Sequence, residues 1–363
     1  MRIDVITPGE LGEDGRTAWR AIQSLDPALS DPFHAPEWAE IIGLVRRDAR
    51  VAVIEDAGRT IGYLAVQKSP PFSMMSLGAP ICDGDGLIAA PDASFDLALL
   101  PRALRTDRVD FGHLPLDCSR YDAIARIREE VMVADLTGWA GFLEARKAEG
   151  SSTLRNLEKK KRKLAREHGE LEFRAFTPDA EALAAMFDWK QEQFERTRQP
   201  NVLARPWCRE AHERVAAASC PHFSGGMFSL RCGGRPVAAL LAMQAGPVLH
   251  AWMIAHDPDP ALAPFSPGAM VWHHMFEAAH ARGVELINFG CGDYPYKRFY
   301  KTGVRQIGAG FIGQPGLATA MRSGMFAARS MLERSSNQVV AGLPGRIMRR
   351  LDIERGLAEP LAA

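Results

Sequence analysis

The residues best able to do chemistry are crowded into one stretch, Ser266 to Lys301, SPGAMVWHHMFEAAHARGVELINFGCGDYPYKRFYK. Its last third sets a carboxylate, three phenols and a lysine close together: Asp293, Tyr294, Tyr296, Lys297 and Tyr300. A carboxylate can take a proton from an attacking nucleophile, and Asp293 is a candidate for that role. It serves equally well as the cap of a turn. Lys297 stays protonated near solvent, so it is suited to holding a phosphate or carboxylate rather than to moving protons.

The elements that must position these groups are legible around them. Ser266 can cap a helix and Pro267 can occupy its first turn, where a missing N–H costs nothing. Met270, Val271, Met275, Ala278 and Ala279 recur near helical spacing, and Gly283 stops the helix. Val284 to Phe289 is short, apolar and followed by glycine, which predicts a buried strand. Gly290 and Gly292 permit close backbone approach just beyond it. The open amides at the helix start, around Ser266, Gly268 and Ala269, favour a phosphate or pyrophosphate, with the helix dipole behind them. The same Ser-Pro-Gly also serves as plain helix punctuation.

A chain of 363 residues is long for one core, and two domains are the natural expectation. Nearly half the residues are apolar and about a quarter charged, which fits a soluble globular protein. The formal net charge is zero, which argues against a general nucleic-acid binder and predicts no DNA partner. The six cysteines are scattered, with no zinc spacing, so no metal is expected and a reduced, cytoplasmic setting is the simplest account. The N-terminus does not read as a secretory signal. No stretch approaches the ~20 uninterrupted apolar residues of a membrane span, leaving at most a peripheral contact with the inner face of the plasma membrane.

A repeat organises the chain. Arg50 to Gln67 reads as strand, turn, strand, and so does Phe228 to Gln244. The turns Gly58-Arg59 and Gly234-Arg235 are 176 positions apart, and the pairs Phe111-Gly112 and Phe289-Gly290 are 178 apart. A near-constant offset at two separate features predicts a duplicated unit. The predicted division is a first domain over 1–135, a second over 136–315 and a helical, arginine-rich tail over 316–363. Between the halves lies the most basic segment, SSTLRNLEKKKRKLAREHG, predicted as a helix capped by Ser151 or Ser152 and stopped by Gly169, with Leu154, Leu157, Lys161 and Leu164 on one face. It reads either as a solvated helix or as a surface facing phosphates. Asp179 to Thr197 is a second amphipathic helix.

The motifs Ser266-Pro267-Gly268, Asn288-Phe289-Gly290, Gly292-Asp293 and Tyr296-Lys297 together resemble the closing half of the GCN5-related N-acetyltransferase (GNAT) domain in FemAB-like and CelD-like acyltransferases, the latter of cellulose and exopolysaccharide biosynthesis. The resemblance implies an α/β fold (α+β mixed sheet) of tandem GNAT-like domains in a FemAB-like arrangement, the first degenerate. It also implies acyl transfer from acetyl-CoA or another acyl-CoA to an amine, such as an amino sugar in exopolysaccharide or cell-envelope assembly. One departure is the absence of the commoner pyrophosphate loop, Arg/Gln-x-x-Gly-x-Gly/Ala.

Transferred to this sequence, the family's pattern puts the pantetheine arm in a splay between the strand Leu249 to His256 and the strand Val284 to Phe289. Met253, Ile254 and Asn288 would then be contacts. Asp293 or His256 is implied as base and Tyr296 or Tyr300 as acid, although His256 could simply begin the next loop. Lys190, Arg196 and Lys297 match in kind the cations that face the acceptor. Two rival readings stand beside this one. In the first, an aminoacyl-tRNA replaces acyl-CoA as donor to a peptidoglycan precursor. In the second, a signalling nucleotide is held by Arg346, Arg349 and Arg350 with Asp352 in the tail. A lipid-linked or nucleotide-linked sugar belongs to the main reading, as the acceptor or as what the basic helix faces.

Overall fold

The structure, a computed structural model, describes residues 1–292 and 294–358. In chain order, strand β1 (Arg2–Ile6) precedes helices α1 (Gly12–Gln23) and α2 (Pro36–Val45) and a hairpin of β2 (Arg50–Asp56) and β3 (Arg59–Ser69). Strands β4 (Ser73–Ser76) and β5 (Leu87–Ala89), the short α3 (Leu99–Ala103) and β6 (Arg108–Pro115) follow. Strand β7 (Ala125–Asp135) leads into α4 (Trp139–His168), β8 (Leu171–Ala175), α5 (Ala180–Thr197) and α6 (Pro206–Ala217). A second hairpin, β9 (Ser224–Cys232) and β10 (Arg235–Ala245), is continued by β11 (Val248–His256), α7 (Pro267–Ala281) and β12 (Leu286–Asn288). Last come α8 (Pro295–Tyr300), β13 (Gly303–Gly313), α9 (Leu317–Leu332) and α10 (Gln338–Leu357).

These elements form two compact units that are not consecutive in sequence. The first takes Met1–Glu130, Arg205–Cys208 and the chain from Gln306; the second takes Val131–Ala204 and Arg209–Arg305. The first sheet runs β1-β2-β3-β4-β6-β13, antiparallel throughout except for the parallel pair β4/β6. The second runs β8-β9-β10-β11-β12-β7, again antiparallel except for the parallel pair β11/β12. The two orders are the same, which is the duplication expected from the paired turns. Gly58 and Gly234 sit at equivalent hairpin tips with φ of 77° and 83°, a conformation that glycine adopts without steric cost. The sixth strand of each sheet is far in sequence from its neighbour there: β13 follows the second unit and pairs with β6, and β7 opens the second unit and pairs with β12.

In the second unit β10 is buried on both faces from Pro236 to Met243, so its sequence is a continuous apolar run rather than an alternation. Trp272 and Phe276 of α7 pack with Phe289 beyond β12, edge to face at 5.3 and 5.8 Å. Helix α4 starts at Trp139, a dozen residues before the predicted cap at Ser151 or Ser152. The reason is tertiary: Trp139 stacks on His280 at 4.7 Å and Phe142 on Phe276 at 5.6 Å, so the Gly-Ser-Ser segment continues a helix that packing has already started. It ends at Gly169 with φ of 111°, as expected. Leu164 is fully buried, and Leu154, Leu157 and Lys161 are half-buried beside it. Among the described residues no helix is long and apolar enough to cross a membrane.

Helices α9 and α10, the segment expected to form a tail, pack within the first unit. They are tied there by a buried ion cluster. Asp110 of β6 accepts from Nε and Nη2 of Arg108 at 2.8 and 3.0 Å and from Arg355 Nη2 at 2.8 Å. Arg322 Nε lies 3.2 Å away. Asp352 receives Arg322 Nη2 at 2.8 Å and Arg355 Nη1 at 3.1 Å. Asp352 is therefore engaged within the fold and not available to read a nucleotide base, while Arg346, Arg349 and Arg350 are exposed on α10.

Burial pushes the Asp110 carboxyl up, but the guanidinium groups of Arg322, Arg108 and Arg355 outweigh it and hold it below its ordinary value. A carboxyl depressed in the folded state adds stability above its unfolded pKa and loses it as pH falls through the folded one. Asp110→Asn should cost about 3 kcal/mol or more in urea unfolding at pH 7, since it leaves buried arginines uncompensated. The gap between variant and wild type should narrow below about pH 4. A gap that stays constant with pH would mean that the carboxylate charge is not what binds the helices.

Candidate active site

Strands β11 and β12 pair for only three residues, Val248–His250 against Leu286–Asn288. Beyond that, β12 stops while β11 runs on to His256, still paired with β10 on its other side. Its edge toward β12 is open over residues 251–256 among the described residues, which is the expected splay. Leu241 faces Met253 and Ala242 faces Ala251, so Trp252 is the extra residue of a bulge that bends β11 here. Its indole stacks on His212 of α6, ring centroids 3.9 Å apart. Met253 and Ile254 lie half-buried in the open segment.

Two adjacent parallel strands need a crossover, and α7 is that crossover. It runs back against the strands, so it starts near their carboxyl ends. Ser266 holds a left-handed conformation, φ 57°, and its side chain does not cap the helix as expected. Its carbonyl instead accepts the N–H groups of Ala269 at 3.0 Å and Met270 at 3.3 Å. Its Oγ accepts from Lys160 Nζ of α4 at 2.8 Å. Lys163 lies nearby, its Nζ 5.5 Å from the centre of the Phe265 ring. Ammonium groups beside the positive end of a helix dipole are electrostatically unfavourable on their own, and an anion relieves the strain. Lys160 and Lys163 thus bring the basic helix to the start of α7.

Gly268 lets His256 approach: a Cβ there would lie 3.2 Å from His256 Cδ2. The imidazole is exposed at the end of β11, with Nδ1 3.0 Å from the Asp257 carbonyl, so it stands beside the helix start rather than out along a loop. Asp293, the other candidate base, lies outside the described residues.

Asn288 is buried, and its Oδ1 accepts the N–H of Gly290 at 3.0 Å. Its side chain shapes the exit of β12. Lys297 was expected to meet an anion, but it is buried and its Nζ donates to the carbonyls of Cys291 at 2.8 Å and Gly290 at 3.3 Å. It holds the glycine-rich exit in place. Lys190 of α5 donates to Gln193 Oε1 at 3.0 Å. Burial, reinforced by the nearby Lys297 charge, brings its pKa down to about 8. These two lysines are brought together; Arg196 is not. It lies six residues further along α5, which turns it well away from the Lys190 face, and it is exposed.

Helix α8 runs beside α7 in the same direction. Tyr296 meets Trp272 edge to face at 5.0 Å, and one turn on Tyr300 stacks on Phe276 at 4.7 Å. Burial raises the pKa of both phenols, so both keep their protons at neutral pH. The Tyr300 hydroxyl sits 2.9 Å from His273 Nδ1 and is engaged there. Tyr296 lies a turn nearer to the start of α7. Nothing in the sequence singles out His273. With Lys161, His274 and Glu277 it forms a polar seam between α4 and α7, Lys161 Nζ lying 3.1 Å from His274 Nε2 and His274 Nδ1 lying 3.0 Å from a Glu277 carboxylate oxygen. Its residues read singly as helix surface.

Residues 151–298 match the family model of the acetyltransferase (GNAT) domain. The second unit has the GNAT fold. Among solved structures, the chain is similar to FemX, with 13% identity and a TM-score of 0.55, over 90% of this chain and 100% of that one. It is also similar to the C-terminal domain of a putative lysylphosphatidylglycerol synthetase from Agrobacterium fabrum, at 13% identity and a TM-score of 0.49, over 86% and 96% of the two chains. A tandem GNAT protein from the clavulanic acid biosynthesis pathway matches at 11% identity and a TM-score of 0.47, over 87% and 99%. No curated protein matches the sequence. At such identities the likeness is one of fold, and the GNAT match itself spans the segment from within α4 to within α8.

Within this GNAT domain, Lys190 should titrate near pH 8 in the ligand-free protein, followed by NMR of isotopically methylated lysines. Lys297→Met should raise that midpoint while leaving it below the ordinary value, because burial is the larger cause. A midpoint near 10.4 in the wild type would show that Lys190 is not buried beside Lys297 as described.

Proposed function

We propose that the chain is an N-acyltransferase that uses an acyl-CoA donor, with acetyl-CoA the first candidate. The observation that carries this reading is the open edge of β11 beside an α7 start flanked by Lys160 and Lys163. Backbone groups of 251–256 are there for an amide-rich arm, and the helix amides and lysines are there for a pyrophosphate. An acyl-CoA would supply the activated thioester. Of the chain's own groups, His256 would accept the amine proton, with Asp293 the alternative. Tyr296 would protonate the departing thiolate. Amides of the bulged β11 are suited to stabilising charge on the carbonyl oxygen.

On the acceptor side, Lys190 favours an amine that also carries a negative charge. An amino sugar linked to a nucleotide or lipid phosphate fits, acted on at the cytoplasmic side during exopolysaccharide or envelope assembly. That pathway rests on the resemblance to FemAB-like and CelD-like proteins.

Titration calorimetry with acetyl-CoA should show binding to the wild-type protein, weakened about tenfold or more in Lys160→Glu, where an attractive charge becomes a repulsive one. No binding by the wild type would sink the acetyl-CoA donor and direct the search to longer acyl-CoAs and aminoacyl-tRNA. With an acceptor in hand, Tyr296→Phe should lower kcat by about 10²-fold or more, and Tyr300→Phe by no more than a few-fold. The reverse order would move the acid to Tyr300.

A further inference from the structure

The first unit contains a cavity of about 490 Å³ between α9, α10 and the chain just before β4. That is within the usual range for small-molecule sites, roughly 300–1,000 Å³. One wall is apolar: Phe72, Leu317, Met321, Met325 and Leu351. The polar lining is Arg108, Arg322 and Arg355 with Asp107 and Asp352. Arg108 and Arg355 are saturated by Asp110, Asp352, Ser73 and the Ala318 carbonyl. Arg322 is not. It is 4% exposed, its Nη2 is on Asp352, and its Nη1 is buried without a partner. Its Nε is ion-paired with Asp110 at 3.2 Å. A buried guanidinium with unused donors is an uncommon and costly arrangement unless something supplies the acceptors. Within the buried cluster three arginines face two aspartates, a surplus of one positive charge; Asp107 is exposed.

The rim is as unusual as the floor. Phe72, Leu317 and Met321 are 76%, 78% and 63% exposed, and Phe72 is held at φ 59°, where a bulky residue is rarely found. Exposed apolar side chains contiguous with a cavity mark a place where apolar matter binds.

We infer that this cavity binds a single-tailed anionic amphiphile. Its carboxylate or phosphate head meets Arg322, and its apolar chain lies along Phe72, Leu317 and Met321. The site is in the first unit, apart from the residues proposed for acyl transfer.

The test is calorimetry on the full chain with decanoate, decyl phosphate, decanol and inorganic phosphate. At least one of the two anionic amphiphiles should bind, with decanol about tenfold weaker and inorganic phosphate weaker still. Met321→Glu, at an exposed position, should reduce that binding about tenfold without lowering the melting temperature. A preference between decanoate and decyl phosphate identifies the head as fatty-acid-like or phospholipid-like. The proposal is overturned if neither amphiphile binds at millimolar concentration. It is also overturned if decanol matches them, which removes the arginine, or if phosphate alone matches decyl phosphate, which removes the apolar wall. Unchanged affinity in folded Met321→Glu would place the amphiphile elsewhere and equally end it.

Discussion

Three residues of parallel pairing, Val248–His250 against Leu286–Asn288, are the constraint on which the second unit's chemistry depends. Because neighbouring parallel strands cannot be joined by a tight turn, the chain must cross over through α7, and α7 must begin near the strands' carboxyl ends. The shortness of the pairing leaves 251–256 with an open backbone edge at that same end. The bulge at Trp252, fixed by its stacking on His212, bends the strand there. Helix dipole, open amides, His256 and the lysines of α4 converge as a result of topology.

The first unit repeats the strand order without repeating this outcome. Between β4 and β6 it holds β5 and a helix of five residues, where the second unit has a helix of fifteen between β11 and β12. Among the described residues no comparable helix follows β4 before β6. The first unit instead packs α9 and α10 around Asp110, and its polar interior is made of arginines. The same sheet thus carries a helix start beside an open strand edge in one copy and an ion-bound helical layer in the other.

What was legible in the sequence was local. The hairpins announced themselves through glycine turns, α7 through Pro267 and Gly283, and α5 through the Asp179 cap, whose side chain accepts the Ala182 N–H. Strands β7 and β13 were not read, because each completes a sheet with a partner far along the chain, as in Leu286 with Asp135 and Gly313 with Arg108. The early start of α4 was hidden because aromatic packing, not local propensity, sets it. In the site, residue types were readable but their commitments were not. Ser266 and Asn288 each proved to serve the backbone around them, and Lys297 turned inward to two carbonyls, whereas Lys160 became visible only once α4 lay beside α7.

The donor is proposed to lie along the open edge of β11 and against the start of α7. Amide hydrogen exchange, read peptide by peptide with and without acetyl-CoA, tests it most directly. Slowed exchange in 251–256 and 266–270, with 317–325 unchanged, is the result the geometry predicts. Protection confined to other segments, or none at all at saturating acetyl-CoA, would contradict it.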